Sequence, residues 1–344
     1  MQCTRKLAQL RYLRVNLSTD ILYTTQNLLC WTEFMTTLIA TSVVRGSIQG
    51  ESHGGVYLLD ITNQRSRQVV DWNTMDIEWQ GRGWDRGLRG IAFDDDRVFI
   101  AASDELFVYD PHFTLIASYK NPYLKHCHEI YRYKRRLFLT STGFDAILGF
   151  DLDQNRFSWG LSVSKDLEGL RGQPFHPEKD LGPPANNILH LNSVFCNSSS
   201  MYFSGLHSGG LFAYSGRHIK LSASLPDGTH NARPHKNGIL YNDTGNNTVR
   251  FISRDGEQRT FSVPQFDAEL LTNTDQDDSR TARQAFGRGL CSISDDLIAA
   301  GSSPSTVSLH SFDSVDSTVF LNLTMDIRNA IHGLEVWPFD PLNA

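Results

Sequence analysis

The chain has 344 residues, 32 Lys and Arg against 38 Asp and Glu, a net charge of −6 and 40% hydrophobic residues. That balance excludes the basic stripe of a nucleic-acid binder and suits a packed globular core. Five scattered cysteines with no CxxC pair argue against both a disulfide framework and a structural zinc site.

Residues 1–34 read as an N-terminal extension, with a short helix predicted over 5–22. Leu7 to Leu22 is interrupted by Gln9, Arg11, Arg14, Asn16 and Asp20, so it lacks the apolar stretch of a signal peptide. No later segment reads as a membrane span. A cytoplasmic protein is expected, without a membrane or nucleic-acid partner. Residues 35–339 then read as one domain, and 340–344 as a tail.

Within that domain six short segments align without gaps, and one position in each is His, Arg or Asn. Arg89-Gly-Ile leads into a strand at Val98, His128-Glu-Ile into Leu137 and Asn192-Ser-Val into Met201. His230-Asn-Ala leads into Ile239 and Arg288-Gly-Leu into Leu297. The sixth copy, His332-Gly-Leu, has no strand after it. Third and fourth strands follow each second strand, bounded by Gly, Asn, Asp and Ser. The first blade, beginning at Leu38, lacks an innermost strand, and the His332 segment supplies one. The prediction is an all-β, six-bladed β-propeller of four-stranded antiparallel blades, closed by the C-terminal strand joining the first blade.

Three long insertions, 72–88, 165–189 and 265–287, all join a fourth strand to the next first strand. They should lie on the face that carries the aligned position, where they could act as lids. Trp79 and Trp84 in the first are candidate lid residues, or pack on the blade tops.

Around the ring the aligned position reads His332, Arg89, His128, Asn192, His230, Arg288. His126 and His190 stand two residues ahead on the same strand parity and should project the same way. His53, His207 and His176 are also placed on this face. His235 belongs to the opposite face. Cys127 has the wrong parity and reads as a packed residue.

Polar residues also line ordinary water-filled channels, so three functional readings stand beside that plain one. The first is a small-molecule anion site. Arg89 and Arg288 supply donor forks, assisted by Asn192, His190 and His126. His128, His230 and His332 then serve as acid, base or nucleophile. An enzyme of transferase or hydrolase type is expected. The second is a divalent metal (Fe, Zn or Cu) on the axis, held by His128, His230 and His332. Glu129, one residue out of register, should then point away, and Asp243 is the nearest outer acceptor. The third is a non-catalytic protein-interaction propeller.

His190-Leu-Asn-Ser-Val, followed by Thr229-His-Asn-Ala-Arg-Pro-His-Lys-Asn-Gly, resembles the bacterial arylsulfotransferase propellers. That resemblance implies sulfuryl transfer through His230 or His332. The chain departs from those enzymes in lacking a secretory signal and paired cysteines. Arg288-Gly-Leu, Gly301-Ser-Ser-Pro and the closing Gly-Leu-Glu-Val-Trp-Pro are similar to a group of uncharacterised bacterial six-bladed propellers. That resemblance covers more of the chain and implies the fold alone.

Overall fold

The computed structural model describes residues 36–48, 50–73, 87–179, 181–276, 283–314 and 318–340. The expected N-terminal helix, Trp79 and Trp84 lie outside them. Six antiparallel sheets follow one another as blades of a propeller. The first strand of each blade touches the first strands of both neighbouring blades, so the ring is closed.

Closure comes from the two ends of the domain. Asn329–Val336 pairs with Leu38–Val44, from Leu38 opposite Val336 to Val44 opposite Asn329. Gly55–Asp60 and Arg65–Asp71 complete blade one. Pairing both ends leaves the first blade without an open inner edge.

Second and third strands are apolar almost throughout because each blade is covered on both faces. Leu38–Val44 and Leu297–Ser302 are buried at every residue. The hydrophobic clusters accordingly sit between blades. Phe99, Leu106 and Val108 of blade two pack on Leu137, Leu148 and Phe150 of blade three. Ile147 and Leu161 of blade three pack on Leu191 and Phe203 of blade four. Fourth strands are the solvent side, and most of Arg65–Asp71 and Leu115–Lys120 is exposed.

Blade three departs from four strands. Its fourth strand runs on through Arg156–Asp166, turns, and pairs with a fifth, Gly169–Phe175. Much of the insertion at 165–189 is therefore a hairpin rather than a loop over the mouth. The extra strand carries the chain back toward the opposite end, where Glu178 pairs with Arg156 at 2.9 Å. His176 goes with it and accepts the Glu178 amide. This corrects its expected place on the aligned face.

A second departure concerns strand parity. The first strands carry bulges at the aligned position. Register shifts between Leu191 and Ser193, between His230 and Arg233, and opposite Ala40–Ser42. In blade three, His128 and Glu129 both donate their amides to the Thr140 hydroxyl. In blade two, Arg89 donates to the Ala101 carbonyl while Ala101 donates to the Gly90 carbonyl. A bulge sets two residues against one and re-aims their side chains.

Candidate functional site

The aligned side chains are buried: Arg89 is 0% exposed, Asn192 1%, His230 3%, His332 4%, and His128 and Arg288 8% each. Their rings converge. His128 lies 6.0 Å from His332 and 6.4 Å from His230, centroid to centroid, and 5.2 Å from His190.

Each imidazole has a tautomer set by its partner. His128 Nδ1 lies 2.8 Å from its own strand's His126 carbonyl and 2.8 Å from the Thr142 hydroxyl. Thr142 donates its proton to the Leu191 carbonyl, so His128 Nδ1 carries a proton and Nε2 is bare. His230 Nδ1 faces the Gly228 carbonyl at 3.3 Å, which again leaves Nε2 bare. His332 Nε2 accepts from the Arg288 guanidinium at 3.2 Å.

Burial and charge agree in keeping these rings neutral. Burial first, and then the neighbouring arginines, hold His128, His230 and His332 well below the ordinary histidine range. Arg89 is the leading charge on His128, and Arg288 on the other two. His190 is lowered to about 4, by burial and then by Arg288, His207 and Arg89.

His126 and His190 reach the site by a route other than strand parity. Both are left-handed, with φ of 54° each. In blade five the same place, two residues ahead of His230, is taken by Gly228 at φ 88°. His190 is fixed from both sides, because the Asp145 carboxylate accepts the Ile188, Leu189 and Leu191 amides. His126 lies beside the Ser103 hydroxyl, and His53 beside that of Ser47.

Two aligned residues also tie blades together. Arg89 Nη1 donates to the Cys127 carbonyl of blade three, and Asn192 Nδ2 to the Thr229 carbonyl of blade five. In each case the acceptor is the residue just before the next blade's aligned position. Cys127 is buried, and burial pushes its thiol up to about 12, as expected of a packed cysteine.

Sequence reasoning found Arg288 but missed Phe286 and the two other cations around it. Arg288, Arg283 and Arg45 place their guanidinium carbons 4.4, 4.6 and 5.7 Å from its ring centroid. Its edge meets His230 at 5.7 Å. Arg45 follows the end of a second strand, which topology puts at this face, so its position was available. Phe286 and Arg283 sit in the third insertion and carry no repeat signal.

Glu129 does not point away. With His128, His332 and Glu335 it lines a cavity of about 10 Å³, large enough for roughly one water. The bulge at His128 and Glu129 is the physical reason. Glu129 Oε1 takes Arg233 Nη2 at 2.8 Å, and Glu335 lies 3.9 Å from Arg233 Nη1. Enclosure raises the Glu335 carboxyl to about 7 against the pull of Arg233. Asp243 is instead occupied within its own blade, accepting from Asn246 and Arg250. His235 lies among Ser292, the Asp295 carbonyl and Phe312, apart from the ring of histidines.

Among the described residues, no group of three or more His, Cys, Asp or Glu side chains is arranged to hold a metal ion. Likewise no helix among them is long and apolar enough to cross a membrane.

No known protein family matches the chain, and no curated protein does. Solved structures similar to it are propellers. A virginiamycin B lyase from Staphylococcus aureus is 8% identical, covering 88% of this chain and 90% of that one, with a TM-score of 0.43. A streptogramin B lyase is 11% identical over 73% of this chain and 94% of that one, at 0.42. The WD40 repeats of RRP9 are 12% identical over 68% and 63%, at 0.43. At such identity and TM-score nothing about activity carries over. The chain's own strand pairing places it among six-bladed β-propellers.

Proposed function

We propose that the axial face binds a small anion and that the neutral histidines act on it by acid–base or nucleophilic chemistry, as in a transferase or hydrolase. The observation that carries this reading is the contact between Arg288 and His332 Nε2, beside a ring that also faces Arg45 and Arg283. Guanidinium forks suit carboxylate, phosphate or sulfate, and cations gathered in a dry setting favour a negative guest. An anion that engages Arg288 draws its proton donor off His332 and uncovers a basic nitrogen next to the bound group. Arg89 adds its charge from a fully buried position.

Thermal-shift measurements with phosphate, sulfate and acetate test this. Wild type should be stabilised, and an Arg89→Ala, Arg288→Ala double variant should not. Equal stabilisation of both proteins, or of neither, sinks the anion reading.

One observation favours a metal as a second reading. The Nδ1–H groups of His128 and His230 face backbone carbonyls, the arrangement that presents a bare Nε2 to a metal. His332 would join them only after giving up Arg288. Stoichiometric Fe, Zn or Cu in protein purified without a tag, lost in His128→Ala, would establish that reading.

A further inference from the structure

Beside Arg288, in blades four and five, two buried acceptors have no hydrogen-bond partner among the described residues. His230 Nε2 is bare and completely enclosed, on a residue 3% exposed. Asn192 Oδ1 is equally enclosed, on a residue 1% exposed. The two are neighbours, because Asn192 Nδ2 donates to the carbonyl of Thr229, the residue before His230. That same bond fixes the amide orientation. Reversing it would set Oδ1 against a carbonyl oxygen.

Leaving a buried acceptor unmade is costly, about 1–3 kcal/mol each. Such a pair calls for a group with protons to give. A cation would suit the acceptors, but Arg288 and Arg45 act on the same His230 ring. A hydroxyl suits His230 Nε2, since it is neutral and donates one proton, and Asn192 Oδ1 is left for a second donor such as water. Phe286 links the two sides. Arg288 lies 4.4 Å and the His230 ring 5.7 Å from its centroid, so both groups border the same ring.

Resting on the anion reading above, we infer that the ligand is a small hydroxylated anion, with its charge on the Arg288 side and a nearby hydroxyl donating its one proton to His230 Nε2. The charged group can be a carboxylate or a phosphate monoester. The hydroxyl is what separates this class from the plain anions that the arginines alone would take. Sites that hydrogen-bond a substrate hydroxyl reject the analogue lacking it, because their buried polar groups are then left unpaired.

The experiment is calorimetric titration of the full chain with matched pairs: glycolate against acetate, and 2-hydroxyethyl phosphate against ethyl phosphate. In at least one pair the hydroxylated member should bind roughly tenfold tighter, about 1.4 kcal/mol. In His230→Phe that preference should fall to about onefold, while the plain anion still binds. The ¹⁵N resonance of His230 Nε2 in wild type should move with the hydroxylated member and not with its partner, which keeps the test independent of how the variant folds. If both members of each pair bind equally, water satisfies the acceptors and this inference fails while the anion reading stands. If the preference survives in His230→Phe, the assignment to His230 fails. If no anion of either kind binds, the anion reading falls and takes this inference with it.

Discussion

The two ends of the first strands hold the same ingredients, burial and guanidinium groups, with opposite results. At one end Asp94 has a side chain 0% exposed and receives Arg97, Arg132 and Arg135 at 2.5, 2.7 and 2.8 Å. Burial opposes its charge, yet the hydrogen bond from Arg97 and the three arginines hold its carboxyl below the usual value. At the other end burial and arginines push His128, His230 and His332 the same way, toward neutrality. One end resolves buried charge by pairing, and the other by withholding the proton. Pairing makes a structural clasp, whereas withholding leaves bare ring nitrogens.

The largest way to probe that contrast is acid. Below about 6.5 the unfolded chain takes up histidine protons that the folded chain refuses. His190 (about 4) and His310, also lowered to about 4 by burial, carry this window. Thermal stability should therefore fall as pH drops from about 6.5, by about 3 kcal/mol from His190 alone by pH 4, and keep falling below that because His128, His230 and His332 still refuse the proton. Asp94 contributes nothing to that window. Its folded value is depressed, so its contribution holds above about 4 and is lost only as pH falls further. Glu335 runs the other way, since a folded value near 7 binds protons the unfolded chain does not. Glu335→Gln should steepen the acid loss. A flat melting temperature between pH 6.5 and 4 would break the picture of proton-refusing histidines.

Asp94→Ala should cost about 2 kcal/mol in urea unfolding, because it strands three guanidinium groups from a buried acceptor. It should leave anion binding at the opposite end unchanged. Thr142→Val, which removes the hydroxyl holding His128, should cost about 1 kcal/mol and shift the His128 tautomer signals by NMR. Arg288→Gln removes the guanidinium from buried His332 and should cost about 1 kcal/mol. It should also raise the titration of His332 and His230, both led by Arg288 among their charges. Unmoved titrations would place their neutrality in burial alone.

The blades, their order and the closure were legible because each blade repeats one pattern, and the aligned position survives every insertion. Side-chain direction was less legible. Strict alternation put Glu129 outside, but a bulge is one extra residue that parity cannot register, and Glu129 lies in the cavity. The same blindness hid the role of Arg89 and Asn192 in joining blades, which depends on carbonyls of another blade. Phe286 and His176 lie in insertions, where no repeat fixes position. The fifth strand, Gly169–Phe175, moved His176 to the far end.

The pairing of Asn329–Val336 with Leu38–Val44 has a temporal side. His332 and Arg288 meet only when the closing strand of the ring is in place beside blade six. Until then Arg288 lacks its imidazole, and the axis lacks one of its three rings. Gly333 permits the close approach there, because a side chain would strike the Arg89 carbonyl, with a Cβ placed 2.1 Å from the oxygen. A ring held open, as a folding intermediate or by a seam mutation, would keep most of its blades and none of the completed axial set.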